Sequence, residues 1–82
     1  MDLIALTETI IKKIVLDPES VSVKEFETEE ENTIRIEVLI SNDDMGKVIG
    51  KNGKIINSIR TIVQASSSLG DNKKIRINVD SY

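Results

Sequence analysis

The segment Gly46-Lys47-Val48-Ile49-Gly50-Lys51-Asn52-Gly53-Lys54-Ile55-Ile56 decides the fold, because it sets three glycines and three lysines among branched aliphatic residues. A core helix avoids this mixture of residues, and a disordered tail lacks its aliphatic part. Glycine at both ends of residues 50–53 permits positive φ angles and exposes bare backbone. We therefore predict a tight turn between two helices, and we call residues 50–53 the glycine turn.

The two helices follow from the residues on either side of the glycine turn. Before it, a short helix ends at Gly50, and Asp43 and Asp44 stand in its first turn, where carboxylates favour the helix dipole and need no further role. After it, aliphatic residues recur at helical spacing. These residues are Ile55, Ile56, Ile59, Ile62 and Val63. Gly70 is placed to cap this longer helix, and the serines at 66–68 suggest a frayed end.

Three further segments alternate between apolar and polar residues, which is the pattern of half-buried strands. They are residues 21–26, 33–40 and 74–80. Phe26 breaks the alternation of the first strand. The acidic run at 28–32 lacks the Asn-Gly or Asp-Gly pair of the tightest hairpins, which predicts a longer connection. Near the start, residues 2–16 have helical periodicity, with Asp2 as the cap and Pro18 beyond the end.

The element order is helix, strand, strand, short helix, turn, helix, strand. This order predicts an α+β two-layer sandwich, α-β-β-α-α-β, whose three-stranded mixed sheet has helices on one face and solvent on the other. The crossover through the helix pair places the third strand parallel to the second, which is then the central strand. The length limits residues 1–82 to a single domain.

Composition excludes several kinds of site. The chain has no cysteine and no histidine, so disulfides, thiolate metal sites and the usual neutral-pH general base are missing. We expect no metal and no cofactor. Glu8, Lys12 and Lys13 interrupt the longest apolar segment, which argues against a signal peptide or a membrane span. We expect a cytoplasmic protein that has no membrane partner.

The net charge of −3 hides a strong asymmetry, since residues 1–45 carry −8 and residues 46–82 carry +5. Around the glycine turn, the backbone amides that open the second helix lack helical partners, and the lysines at 47, 51 and 54 add full charges. Val48, Ile49 and Ile55 or Ile56 supply aliphatic surface beside this rim. Phosphates on one side and aliphatic residues on the other suit single-stranded RNA or DNA.

The same segment resembles the signature of the KH domain, a nucleic-acid-binding module whose Gly-x-x-Gly loop clamps about four nucleotides. The element order is similar to that of the type II, bacterial form. The chain length is similar to that of the small single-KH-domain RNA-binding proteins of the KhpA type. The resemblance implies that the loop, the adjacent cations and the flanking aliphatic residues bind RNA. These are Gly46, Lys47, Val48, Ile49, Gly50, Lys51, Asn52, Gly53, Lys54 and Ile56.

The resemblance also implies weaker candidates and partners. It places the central strand beside the base-binding groove, so Arg35, Glu37 or Leu39 near its exposed side become weak candidates for base contacts. Arg60 on the second helix is a further weak candidate. It implies single-stranded RNA as the partner, and a role in bacterial RNA metabolism linked to cell elongation and division. It finally implies association with a second copy or with another KH-containing protein of the Jag type.

Two alternatives compete with RNA binding. A nucleotide-binding enzyme fails, because Ile55 follows Gly53-Lys54 where a metal-binding Ser or Thr is needed, and because the turn follows a helix instead of a strand. We therefore predict that the chain is not an enzyme. A protein-assembly module with little RNA affinity stays open, since a small core favours oligomerisation.

Overall fold

Three α-helices cover one face of a three-stranded sheet in residues 2–82, which the computed structural model describes. The elements are α1 (Leu3–Ile14), β1 (Ser22–Phe26), β2 (Thr33–Ile40), α2 (Met45–Ile49), α3 (Lys54–Leu69) and β3 (Lys74–Ser81). Short 3-10 turns occupy Pro18–Ser20, Asn42–Asp44 and Lys51–Gly53. The predicted α+β class and the order α-β-β-α-α-β are confirmed.

The sheet has the predicted mixed topology, with β2 in the centre. β2 pairs antiparallel with β1 and parallel with β3. Because side chains alternate along a strand, Ile36, Val38 and Ile40 enter the core, whereas Arg35 and Leu39 lie on the outer face. The crossover from β2 to β3 runs through α2, the glycine turn and α3, so this turn belongs to the helical layer.

The core is entirely aliphatic and joins all three helices to the sheet. Its buried side chains interdigitate without an aromatic residue, which suits a domain with little volume to fill. They are Ile11, Val15, Val23, Ile36, Val38, Ile40, Val48, Ile56, Ile59, Val63 and Ile77. The β-branched side chains that are buried lie at helical spacing on α3 and at alternate positions on β2. Their burial therefore holds the two layers together.

Asp44 explains where α1 ends. The predicted cap, Asp2, accepts hydrogen bonds from backbone amides in the first turn of α1, but the helix stops at Ile14, earlier than predicted. Beyond it, the carboxylate of Asp44 accepts from the amides of Leu16 and Asp17 at 3.0 and 3.1 Å. Asp44 is only 1% exposed. The prediction that it needs no role beyond the helix dipole was wrong.

The end of α3 is also held firmly, contrary to the predicted fraying. The hydroxyl of Ser67 is buried, donates to the carbonyl oxygen of Lys73 at 2.7 Å and accepts from the Lys73 amide at 3.0 Å. Gly70 is the C-cap, as predicted. This double hydrogen bond fixes the connection from α3 to β3.

Phe26 lies on the outer face of the sheet, which is why it breaks the polar alternation of β1. It stands opposite Arg35 of β2, whose guanidinium carbon lies 5.3 Å from the centroid of the Phe26 ring. A cation above an aromatic face is attractive at this distance. The pairing stabilises an exposed aromatic ring on the outer face.

Candidate nucleic-acid interface

The glycine turn reverses the chain between α2 and α3 by means of positive φ angles. Gly50 has φ 76° and ψ 175°, Asn52 has φ 58° and Gly53 has φ 74°. A Cβ atom added to Gly50 would lie 2.6 Å from Cγ1 of Ile55, which is closer than Cβ atoms approach non-bonded heavy atoms in proteins. Glycine is therefore required at position 50 by both its backbone conformation and the packing of Ile55 against it.

Two backbone amides of the glycine turn open a new helical turn. The amide of Gly50 donates to the carbonyl oxygen of Gly46 at 3.0 Å, and that of Gly53 donates to the carbonyl oxygen of Gly50 at 3.2 Å. The amides of Lys51 and Asn52 are the first two of the 3-10 turn Lys51–Gly53, so helical geometry gives them no partner within that turn. Unpaired amides at the start of a helix bind anions, because the helix dipole points its positive end at the same place.

The lysines around the glycine turn are exposed and unneutralised. Lys47, Lys51 and Lys54 all have solvent-exposed side chains. In the part of the chain that the structure describes, ion pairs involve only Lys12, Arg35 and Arg76 as the cations. The first turn of α3 contains no acidic residue. The turn is therefore a locally cationic surface on a chain whose net charge is negative.

The aliphatic residues of the candidate site divide into core and surface. Val48 is 0% exposed and Ile56 is 3% exposed, so their side chains belong to the core and cannot contact a ligand, which corrects their inclusion in the site. Ile49 is half-buried, and Ile55 is 38% exposed. Ile55 is missing from the predicted set because its helical spacing alone does not distinguish it from its buried neighbour Ile56.

A groove lies between α3 and the free edge of β3. It has a volume of about 460 Å³ where Arg60, Gln64 and Ile75 line it, and an adjoining depression of about 240 Å³ reaches Ile77 and Asn78. Side chains of α3 hydrogen-bond directly to this strand edge. The strand that walls the groove is therefore β3.

The structure separates three of the weaker candidates from the glycine turn. Arg35, Glu37 and Leu39 lie on the outer face of the sheet, whereas the turn lies in the helical layer on the other face. The prediction that the central strand walls the groove was wrong, because β2 is flanked on both edges and has no free edge to offer. Arg60, the fourth weak candidate, does lie in the groove.

Residues 2–82 contain neither a metal-ligand cluster nor a membrane-spanning helix. No cluster of three or more histidine, cysteine, aspartate or glutamate side chains has the arrangement of a metal site. None of the helices combines the length and the hydropathy that crossing a lipid bilayer requires.

Comparison with known proteins links this architecture to one family. A family model described as the KH domain of KhpA/KhpB matches residues 5–79. A protein of Oceanobacillus iheyensis named "RNA-binding protein KhpA" is 43% identical over 75 residues, which cover 92% of this chain and 96% of the relative. Proteins with the same name are 45% identical in Clostridium perfringens and 40% identical in Thermotoga maritima, each over 74 residues. These alignments cover 90% of this chain and 95% and 93% of the relatives.

Solved structures support the fold. A crystal structure of Era in complex with MgGDPNP and nucleotides 1506–1542 of 16S ribosomal RNA matches 96% of this chain with a TM-score of 0.72. The sequence identity is 15%, and the match spans 29% of the Era chain. A structure of Era from Aquifex aeolicus matches with a TM-score of 0.70 at the same identity. At this identity the likeness establishes the shared fold alone.

Proposed function

Because the chain belongs to the KhpA/KhpB family of KH domains, we propose that it binds single-stranded RNA at the glycine turn and the start of α3. Its relatives are named RNA-binding proteins, and none of the names quoted above describes a catalytic activity, in agreement with the prediction that the chain is not an enzyme. The observation that carries the proposal is the cluster of three exposed lysines, none of them in an ion pair in residues 2–82, around the amides of Lys51 and Asn52 that open a helical turn.

The geometry of the glycine turn suits a phosphate backbone. Gly50 and Gly53 remove side chains where a phosphate approaches, and the amides of Lys51 and Asn52 supply donors. Lys47 stands about one helical turn before Gly50, and the half-buried Ile49 directly precedes Gly50. We propose a footprint of about four nucleotides, which is the length that a loop of this kind holds.

Reversing the charge of the glycine turn tests this proposal. Lys51→Asp combined with Asn52→Asp should abolish binding of short single-stranded RNA, because the new carboxylates repel phosphates, while circular dichroism shows an intact fold. A matched comparison uses two single variants. Lys51→Asp changes the charge of the glycine turn, and its control, Lys24→Asp, makes the same charge change on the exposed side of β1. Equal affinity of these two single variants for RNA would place the contact elsewhere.

Salt dependence gives an independent measure of the same contact. If Lys47, Lys51 and Lys54 each neutralise one phosphate, the logarithm of the association constant should fall with the logarithm of salt concentration at a slope of about −2. Fluorescence anisotropy with a labelled oligonucleotide measures this slope. A slope of zero for the wild-type protein would contradict phosphate binding by these lysines.

The proposal extends to a cellular role on the strength of the family resemblance. The relatives compared above come from bacteria and carry an RNA-binding name. We place the chain in the cytoplasm, in bacterial RNA metabolism, and in a process linked to cell elongation and division. Crosslinking of RNA to the protein in cells, followed by sequencing, tests this part, and recovery of no RNA above a Lys51→Asp/Asn52→Asp control would contradict it.

Assembly is a second candidate function, and a stripe on α3 supports it. Ile55, Ile62 and Leu69 recur every seven residues and are 38%, 49% and 91% exposed. Residues seven apart lie on nearly the same side of a helix, so the three form an apolar line away from the core. We propose that this line packs against the same line of a second copy, which would also raise avidity for RNA.

Sedimentation equilibrium tests the assembly. The wild-type chain of 9.1 kDa should sediment as a dimer, and Ile62→Glu should return it to a monomer because a buried carboxylate is costly. Thr61→Glu, at the adjacent exposed position of α3, is the control and should remain dimeric. A monomeric wild-type protein would rule out the second copy and leave another KH-containing protein as the partner to be tested.

A further inference from the structure

Arg60 is held rigidly across the free edge of β3. Its Nε and Nη2 atoms donate to the carbonyl oxygen of Ile77 at 3.2 and 2.9 Å, and Nη1 donates to Oδ1 of Asn57 at 2.9 Å. These bonds use three of the five N–H groups of the guanidinium. Neither of the other two has a partner in residues 2–82, and no carboxylate there lies within ion-pair distance. The guanidinium is therefore a fixed, unneutralised cation with two unused donors.

Of the α3 residues that line the groove, Arg60 is the nearest along the helix to the glycine turn. A Cβ atom at Gly53 would lie 3.6 Å from Nδ2 of Asn57, and Asn57 in turn accepts the hydrogen bond from Arg60. At 1.5 Å per residue, Arg60 stands about 10 Å along α3 from Gly53. Both parts of the groove border its side chain. A strand of RNA held at the turn brings a base within reach of this guanidinium.

Gln64 binds two backbone groups at the start of β3. It donates to the carbonyl oxygen of Lys73 at 3.0 Å and accepts from the amide of Ile75 at 2.9 Å. Gln64 therefore uses its amide group to hold the strand edge. Arg60 is the cationic side chain of α3 that lines the groove, and its two unused donors can meet a base there.

A guanidinium that offers two donors selects for a partner with two neighbouring acceptors. Guanine presents O6 and N7 as such a pair, whereas adenine presents one acceptor and one donor on the corresponding edge. In single-stranded RNA this edge is accessible. Lysine cannot reproduce the selection, because its ammonium is a point charge without a planar fork.

We propose that Arg60 is a specificity-determining residue that reads guanine at a nucleotide adjacent to those held by the glycine turn. The inference rests on the proposed RNA binding at this turn and adds base preference to it. Asn57 and the carbonyl oxygen of Ile77 act as positioning groups, since they fix the plane of the guanidinium. The donors of Arg60 then remain in place before RNA arrives, so little side-chain entropy is lost on binding.

Four short single-stranded oligonucleotides test the inference: uridine alone, uridine alternating with guanosine, with adenosine, and with 7-deazaguanosine, which lacks the N7 acceptor. The wild-type protein should bind the guanosine oligonucleotide about tenfold more tightly than the adenosine and 7-deazaguanosine ones. Arg60→Lys keeps the charge and should bind all four with the affinity of the uridine oligonucleotide. Circular dichroism checks the fold of this variant, and the wild-type comparison of guanosine with 7-deazaguanosine stands without it.

Each outcome separates this inference from the proposed function. Equal binding of all four oligonucleotides by the wild-type protein overturns the guanine preference and leaves RNA binding at the glycine turn intact. A uniform loss across the four oligonucleotides in Arg60→Lys also overturns it, because Arg60 then contacts a phosphate. Failure of the wild-type protein to bind any of them overturns the proposed function and the inference together.

Discussion

Gly50 and Gly46, four residues apart, have opposite structural requirements. Gly50 adopts φ 76° and ψ 175°, a region that only glycine occupies easily, and packs against Ile55. Gly46 lies inside α2, where an added Cβ atom would meet nothing within 4 Å. Spacing alone does not distinguish these glycines, since both belong to the same Gly-Lys pattern. Their backbone angles do.

Alanine at each position should therefore have effects of opposite sign. Gly50→Ala should destabilise the fold by about 2 kcal/mol, because alanine is strained at this backbone conformation and overlaps with Ile55. Gly46→Ala should stabilise it by about 0.5 to 1 kcal/mol, because alanine is the better helix former. Urea unfolding followed by circular dichroism measures both. Destabilisation of similar size at the two positions would contradict the assigned conformations.

Asp44 and Asp43 provide a second matched pair. Asp44→Ala removes the acceptors of the Leu16 and Asp17 amides in a part-buried place and should cost about 2 kcal/mol of unfolding free energy. Asp43→Ala should lower the free energy of unfolding by less than about 0.5 kcal/mol, because Asp43 is exposed. Chemical denaturation gives both values. Equal losses would mean that the carboxylate of Asp44 does not anchor the end of α1.

At the scale of elements, hydrophobic periodicity predicted those features of the fold that residues close together in sequence determine. β2 begins and ends at the predicted residues, because strict alternation from Thr33 to Ile40 leaves one face apolar. The role of β3 as the groove wall was missed, because Gln64 and Arg60 reach it through contacts between residues 11 and 17 positions apart. The exposure of Ile62 was missed as well, since α3 is apolar on more than one side.

The connection between β1 and β2 is linked to β3 by an ion pair whose titration can be followed. The hydrogen bond from Arg76 to Glu30, 3.0 Å long, lowers the pKa of Glu30 below its ordinary value of 4.5. Because the folded pKa is lowered, the stabilisation by this pair is present above about pH 4.5. It is lost as the pH falls through the folded pKa.

Arg76→Gln should raise the pKa of Glu30 back toward 4.5, because the hydrogen bond and the nearby charge are both lost. Lys74→Gln should raise it less, since Lys74 acts only through its charge. NMR titration of the Glu30 side-chain carboxyl measures both variants. An equal or larger rise with Lys74→Gln would show that the hydrogen bond is not the main cause.

At the scale of the whole molecule, the acidic connection and the glycine turn are attached to opposite ends of β2. The acidic connection at residues 27–32 precedes its first residue, and the glycine turn with its lysines follows its last one through α2. The two charge halves of −8 and +5 are nevertheless not separated as wholes, because Asp44 follows the end of β2 and Lys74 pairs with Thr33 at its start. Attraction of an RNA strand to the glycine turn therefore depends on the exposed lysines of the turn itself.

The central claim is that RNA binds at the glycine turn, and amide chemical-shift mapping by NMR tests it most directly. When a short single-stranded RNA is titrated into the wild-type protein, the largest shifts should occur at residues 50–57 and along the edge of β3. Lys24 and Arg35 on the outer face of the sheet should change little. Largest shifts on that outer face, with the amides of Lys51 and Asn52 unmoved, would contradict the account.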